Sequence, residues 1–126
     1  MTNREAPLGE FEQVVLLAIL RLEENAYGVT IRKEIRICTG RNPAPGALYN
    51  TLDRLEEKGM VTSRMGEPTP QRAGRPKRFF AVTANGVSAI ARAQRAFQKL
   101  MNGISIPILN SAQRRETVCT LGVAHA

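Results

Sequence analysis

The chain has 126 residues, 43% of them hydrophobic and 23% charged, which is the length of one domain and a composition that argues against disorder. Two cysteines, Cys38 and Cys119, are too few for a disulfide scaffold, and a single histidine, His125, argues against a zinc site or histidine-based catalysis. The formal charge of +7 is lopsided: residues 1–63 carry 8 basic and 9 acidic groups, and residues 64–126 carry 10 and 2.

Five of those cations, Arg64, Arg72, Arg75, Lys77 and Arg78, fall within fifteen residues. Such a concentration points to an anionic partner, either nucleic acid or a membrane surface. The longest strongly apolar run, residues 14–20, is seven residues long, against about 20 for a membrane span. The amino terminus lacks the basic-then-apolar pattern of a signal peptide, so the expected compartment is the cytoplasm and no membrane partner is expected.

The first predicted helix covers residues 8–22, where Leu8, Phe11, Val15, Ala18, Ile19 and Leu22 recur at three- and four-residue steps. Val14, Leu16, Leu17 and Leu20 make it apolar on a second side as well. A helix that is apolar nearly all round is buried on more than one face. A second helix is predicted over residues 27–38, with Gly40 suited to the left-handed position that ends it. A third is predicted over residues 45–58, opened by Pro45 and closed by Gly59. Its leucines Leu48, Leu52 and Leu55 share one face, while Gly46, Asn50, Asp53 and Arg54 point away from them.

Residues 60–65 and 77–82 are short β-type runs, and the Gly-, Pro- and Arg-rich stretch between them predicts a hairpin with a basic tip. Thr83 caps a long fourth helix predicted over residues 84–102. In it Ile90, Ala93, Phe97, Leu100 and Ile104 step 3-4-3-4, a seam that suits either a second helix of a partner or the chain's own core. Gly103 and Pro107 end this helix, and residues 110–121 read either as a short helix or as a loose tail.

The predicted fold is mostly α with a small β-hairpin: a winged helix-turn-helix followed by a long C-terminal helix. That order has a physical logic for duplex DNA. A helix fits the major groove, and its N-terminal residues reach base edges. A cationic hairpin follows the backbone or enters the minor groove. Gly46 and Ala47 permit close approach, Asn50 suits adenine, Arg54 suits guanine, and the Tyr49 hydroxyl suits phosphate. The candidate recognition residues are therefore Gly46, Ala47, Tyr49, Asn50 and Arg54, and the candidate wing residues are Arg72, Gly74, Arg75, Lys77 and Arg78. A winged-helix protein-interaction module without DNA is the alternative reading. No glycine-rich phosphate loop, paired acids or activated nucleophile supports an enzyme.

Four blocks in order, residues 16–31, 46–61, 73–86 and the long helix after them, resemble the PadR-like transcriptional regulators over about residues 8–104. Gly46, Leu48 and Tyr49 match that family's Gly-x-Leu-Tyr element, and Gly74, Arg75 and Pro76 match its wing element. The chain departs from the family pattern at Ala47, often Thr, at Asn50, often Pro, and at Ala44, often a capping Ser.

The resemblance implies a homodimeric repressor on a palindromic operator, its last helix packed on the partner's first. Phe11, Val15, Ile90, Ala93, Phe97, Leu100 and Ile104 are then the expected dimer contacts. Residues 1–83 would form the DNA-binding part and 84–126 the dimerisation helix and tail, in one compact unit. The expected partners are double-stranded DNA, a second copy of the chain and, where repression is relieved, a small-molecule effector. No cofactor or metal is expected.

Overall fold

The computed structural model describes residues 7–67 and 76–105. Helix α1 (Glu10–Leu22) leads through a 3-10 turn (Glu23–Asn25) into α2 (Gly28–Thr39), then α3 (Pro45–Glu57), strands β1 (Val61–Met65) and β2 (Arg78–Val82), and α4 (Ala84–Met101). These elements match the expected order, with ends displaced by no more than two residues. The Arg72, Gly74 and Arg75 expectations, and those for residues 106–126, lie outside the described residues.

Local chemistry sets the boundaries. The Glu12 carboxylate accepts the Gly9 N–H at 2.9 Å and closes the first turn of α1. The Thr30 hydroxyl accepts the Tyr27 N–H at 3.0 Å and does the same for α2, whose far end is closed by Gly40 at φ 77°. Pro45 occupies the first turn of α3, where a missing N–H costs no helical bond. Thr83 caps α4, its hydroxyl accepting the Gly86 N–H at 3.1 Å.

The core is one cluster. Val15, Leu16 and Ile19 of α1, Ile31 and Ile35 of α2, and Leu48, Leu52 and Leu55 of α3 are closed to solvent. The antiparallel hairpin, with Val61 opposite Val82 and Ser63 opposite Phe80, adds Val61 and Phe80 to that core. Its inner edge continues into the chain before α2: the Phe80 N–H donates to the Ala26 carbonyl at 2.8 Å, and Tyr27 forms a single β-bridge with Phe79. The hairpin is thereby fixed to the helical body at its base.

Two of the expected dimer contacts are already closed to solvent within the single chain. Val15 has no exposed surface and Ile90 has 6%. Both belong to the single chain's interior: Val15 faces the centre of the three-helix body, and Ile90 lies on the buried side of α4's first half. Gly86 of that half is pressed so closely on the Met60 carbonyl and on Val82 Cγ1 that a Cβ would overlap them. The seam turns outward only beyond Ala93, where Phe97 is 61% and Leu100 71% exposed, and Ile104 is exposed too. Phe11 is half-buried at the edge of the core, under the Arg41 guanidinium 5.3 Å from its ring centre.

A candidate nucleic-acid interface

Helix α3 is divided sharply between two faces. Leu48, Thr51, Leu52 and Leu55 are buried, while Gly46, Ala47, Tyr49, Asn50 and Asp53 are exposed. No side chain caps its N-terminus, because Ala44 stands at that position. Its first N–H groups therefore meet no capping side chain among the described residues, and a helix start carries partial positive charge. A Cβ at Gly46 would have nothing within 4 Å. Packing within the chain does not call for glycine there, although glycine weakens a helix by about 1 kcal/mol relative to alanine. Open space at that position is useful only to something approaching from outside.

Arg54 is tethered within the chain. Its Nε lies 3.5 Å from Glu12 Oε2, and it donates to the Thr51 hydroxyl at 3.4 Å. Lys58 donates to the same Glu12 oxygen at 2.8 Å. Burial pushes the Glu12 carboxyl up, but the Lys58 hydrogen bond and charge, the Gly9 N–H and Arg54 together hold it below the ordinary 4.5. One largely buried carboxylate of α1 thus ties down Arg54 of α3 and Lys58, the residue just past its end. The Arg54 side chain remains 54% exposed, so its terminal nitrogens still face solvent.

The hairpin cations also divide. Arg78 donates to Glu56 Oε1 at 2.7 Å, lies 3.6 Å from Asp53 Oδ1, and stacks 4.9 Å from the Phe80 ring centre. It is a strut between β2 and α3, and its side chain keeps 36% of its surface exposed. Lys77 sits 4.4 Å over the Tyr27 ring and Arg64 4.8 Å over that of Phe79. An aromatic face holds each of these charges in place without neutralising it. Arg32 donates to the Pro43 carbonyl at 2.8 Å and to Asn42 Oδ1 at 3.3 Å, clamping the connection between α2 and α3.

Glu12, Tyr27 and Arg32 were not among the expected site residues, although all three position elements of the candidate interface. Their roles rest on contacts far apart in sequence, which periodicity does not carry. Among the described residues no group of acidic, histidine or cysteine side chains could hold a metal, and no described helix is long and apolar enough to cross a membrane.

A family model described as the transcriptional regulator PadR-like family matches residues 16–92. The chain belongs to the PadR-like family. It is accordingly a DNA-binding transcription regulator, and the family consists of regulators rather than enzymes. No curated protein matches significantly.

Solved structures share the fold. A transcriptional regulator from Clostridium thermocellum is 22% identical, over 79% of this chain and 89% of that one, with a TM-score of 0.60. A PadR family regulator from Eggerthella lenta is 22% identical, over 75% of this chain and 81% of that one, with a TM-score of 0.57. The complex of hsRosR-S1 is 23% identical, over 99% of this chain and 98% of that one, with a TM-score of 0.62. At these identities the likeness establishes the PadR-like winged-helix fold and leaves residue roles to be argued from this chain.

Proposed function

We propose that this PadR-like regulator is a homodimeric repressor that binds a palindromic operator, with α3 in the major groove and the hairpin on the flanking backbone or minor groove. The observation that carries the reading is the α3 face itself. An uncapped helix start, an internally unneeded Gly46 and exposed Ala47, Tyr49 and Asn50 lie opposite a fully buried leucine face. Asn50 would read a base edge, Tyr49 would hold a phosphate, and Arg54 would reach the duplex from its tether on Glu12. Lys77, together with Arg72, Gly74 and Arg75, would supply the wing contacts.

Residues 1–83 then act as the reading part and residues 84–126 as the dimerising part. Ala93, Phe97, Leu100 and Ile104 would meet a second copy, with Phe11 at the margin of the contact. A palindrome needs its two recognition helices one duplex turn, about 34–36 Å, apart. Two copies of α4, each about 27 Å long, would set that separation. An effector lodged between α4 and the partner's α1 would release the operator by favouring a spacing that does not fit it. Without such a ligand, repression would follow protein level alone.

Selection of bound fragments from a random duplex library, followed by footprinting of the winner, tests the reading. The expected result is a two-fold symmetric footprint with steeply salt-dependent binding. Binding of an acidic protein partner with no affinity for duplex would overturn it.

A further inference from the structure

Gly28, the first residue of α2, is buried, and the hydroxyl end of Tyr49 rests on it. A Cβ at Gly28 would overlap the Tyr49 hydroxyl and stand 2.7 Å from Cζ and 3.4 Å from Cε2. Gly28 is not among the glycines at positive φ, which are Gly40, Gly59 and Gly103. Its backbone conformation is therefore open to any residue, and alanine would make the better helix. What glycine supplies at this point is room for Tyr49. Tyr49 is nevertheless 40% exposed as a residue, and its hydroxyl donates to no group among the described residues.

The same segment also carries the hairpin. The Ala26 carbonyl accepts from Phe80, Tyr27 bridges Phe79 with ring centres 5.4 Å apart, and Lys77 lies over the Tyr27 ring. Residues 26–28 thus touch both the recognition helix, through Tyr49, and the base of the wing.

We propose that Gly28 is a positioning residue for DNA binding: its bare backbone seats Tyr49 so that the hydroxyl donates to a backbone phosphate of the duplex. The proposal rests on the function proposed above and adds to it the residue that fixes Tyr49. A phosphate contact carries no sequence information. Disturbing it weakens binding to selected and random duplexes alike.

The test uses the full chain with Gly28→Ala, Tyr49→Phe, Tyr49→Ala and the double variant Gly28→Ala/Tyr49→Ala. Binding to the selected duplex and to a random one is read together with the ring signals of isotope-labelled tyrosine. The chain has only two tyrosines, and Tyr49→Phe assigns the signals by deleting one. Gly28→Ala is expected to shift the Tyr49 signal and to weaken binding to both duplexes about tenfold, as Tyr49→Phe does. In the Tyr49→Ala background, Gly28→Ala should cost nothing further.

An unmoved Tyr49 signal, unchanged binding by Gly28→Ala, or losses that multiply in the double variant would overturn the proposal. Should Gly28→Ala not fold, the double variant decides. Folding and binding like Tyr49→Ala places the clash on Tyr49, and a second failure to fold refutes it. If the unaltered chain binds no duplex at all, the functional reading fails, while the tyrosine signal still reports on the seat.

Discussion

The two halves of α4 carry one apolar repeat and put it to different uses. In the first half Gly86, Ala89 and Ile90 are buried, where the helix closes against Met60, β2 and α1. In the second half Phe97, Leu100 and Met101 stand in solvent, along a groove of about 510 Å³ lined also by Leu8 and Gln13 of the α1 region. The step pattern is continuous across both halves, so spacing alone does not separate core from contact surface. What separates them is burial: Ala89 and Ile90 are closed to solvent, while Phe97 and Leu100 are only bordered by Leu8 and Gln13. Among the described residues these apolar side chains stay largely uncovered, and exposed apolar rows of this kind mark binding surfaces.

The largest effect should follow when the second half is made unable to meet a partner. Phe97→Glu with Leu100→Glu should leave the fold intact and yield monomer by sedimentation. Affinity for a palindromic duplex should fall about 100-fold or more, since each half-site would then be bound alone. Ile90→Ala in the first half should do the opposite. It should lower stability by about 2–5 kcal/mol in chemical denaturation and leave the association state of the folded protein unchanged. If Ile90→Ala dissociated the protein and Phe97→Glu/Leu100→Glu only destabilised it, the division of α4 would be reversed.

The same split between support and contact recurs on the interface, with smaller effects. Asn50→Ala should cost about 1–3 kcal/mol on the selected duplex and little on a random one, measured by competition. Arg78→Ala should lower the melting temperature, because it removes the strut to Glu56 and Asp53. Arg75→Ala should instead flatten the salt dependence of binding by about one unit per lost phosphate contact.

Smallest is the effect of acid on Glu12. Its carboxyl titrates lower in the folded protein than its ordinary 4.5. The stabilisation it provides is therefore present above that pH and lost as pH falls through the folded value. The stability difference between the parent chain and Glu12→Gln should be constant near neutral pH and shrink under acid, as followed by melting temperature.

The element order was legible because each element carries a local signal: leucines at helical steps in α3, a threonine cap before α4, left-handed glycines after α2 and α3. The exposed α3 face was legible for the same reason, since Gly46, Tyr49 and Asn50 follow from the helical angle once Leu48 and Leu52 are taken as buried. Pairings between distant elements were not legible. Val15 and Phe11 occupy the same helical stripe, yet only Val15 lies under the body's centre. Arg78 belongs to a basic run, yet Glu56, twenty-two residues earlier, takes it up. The seat of Tyr49 on Gly28 joins two helices that meet only once the core has formed.

The most direct test is the sedimentation equilibrium of the unaltered protein on its selected duplex, repeated with Phe97→Glu/Leu100→Glu. We expect two chains per duplex for the parent and, at the same concentrations, a single weakly bound chain for the variant. Two chains per duplex for both proteins, with equal affinity, would contradict the assignment of α4's second half as the surface that joins them.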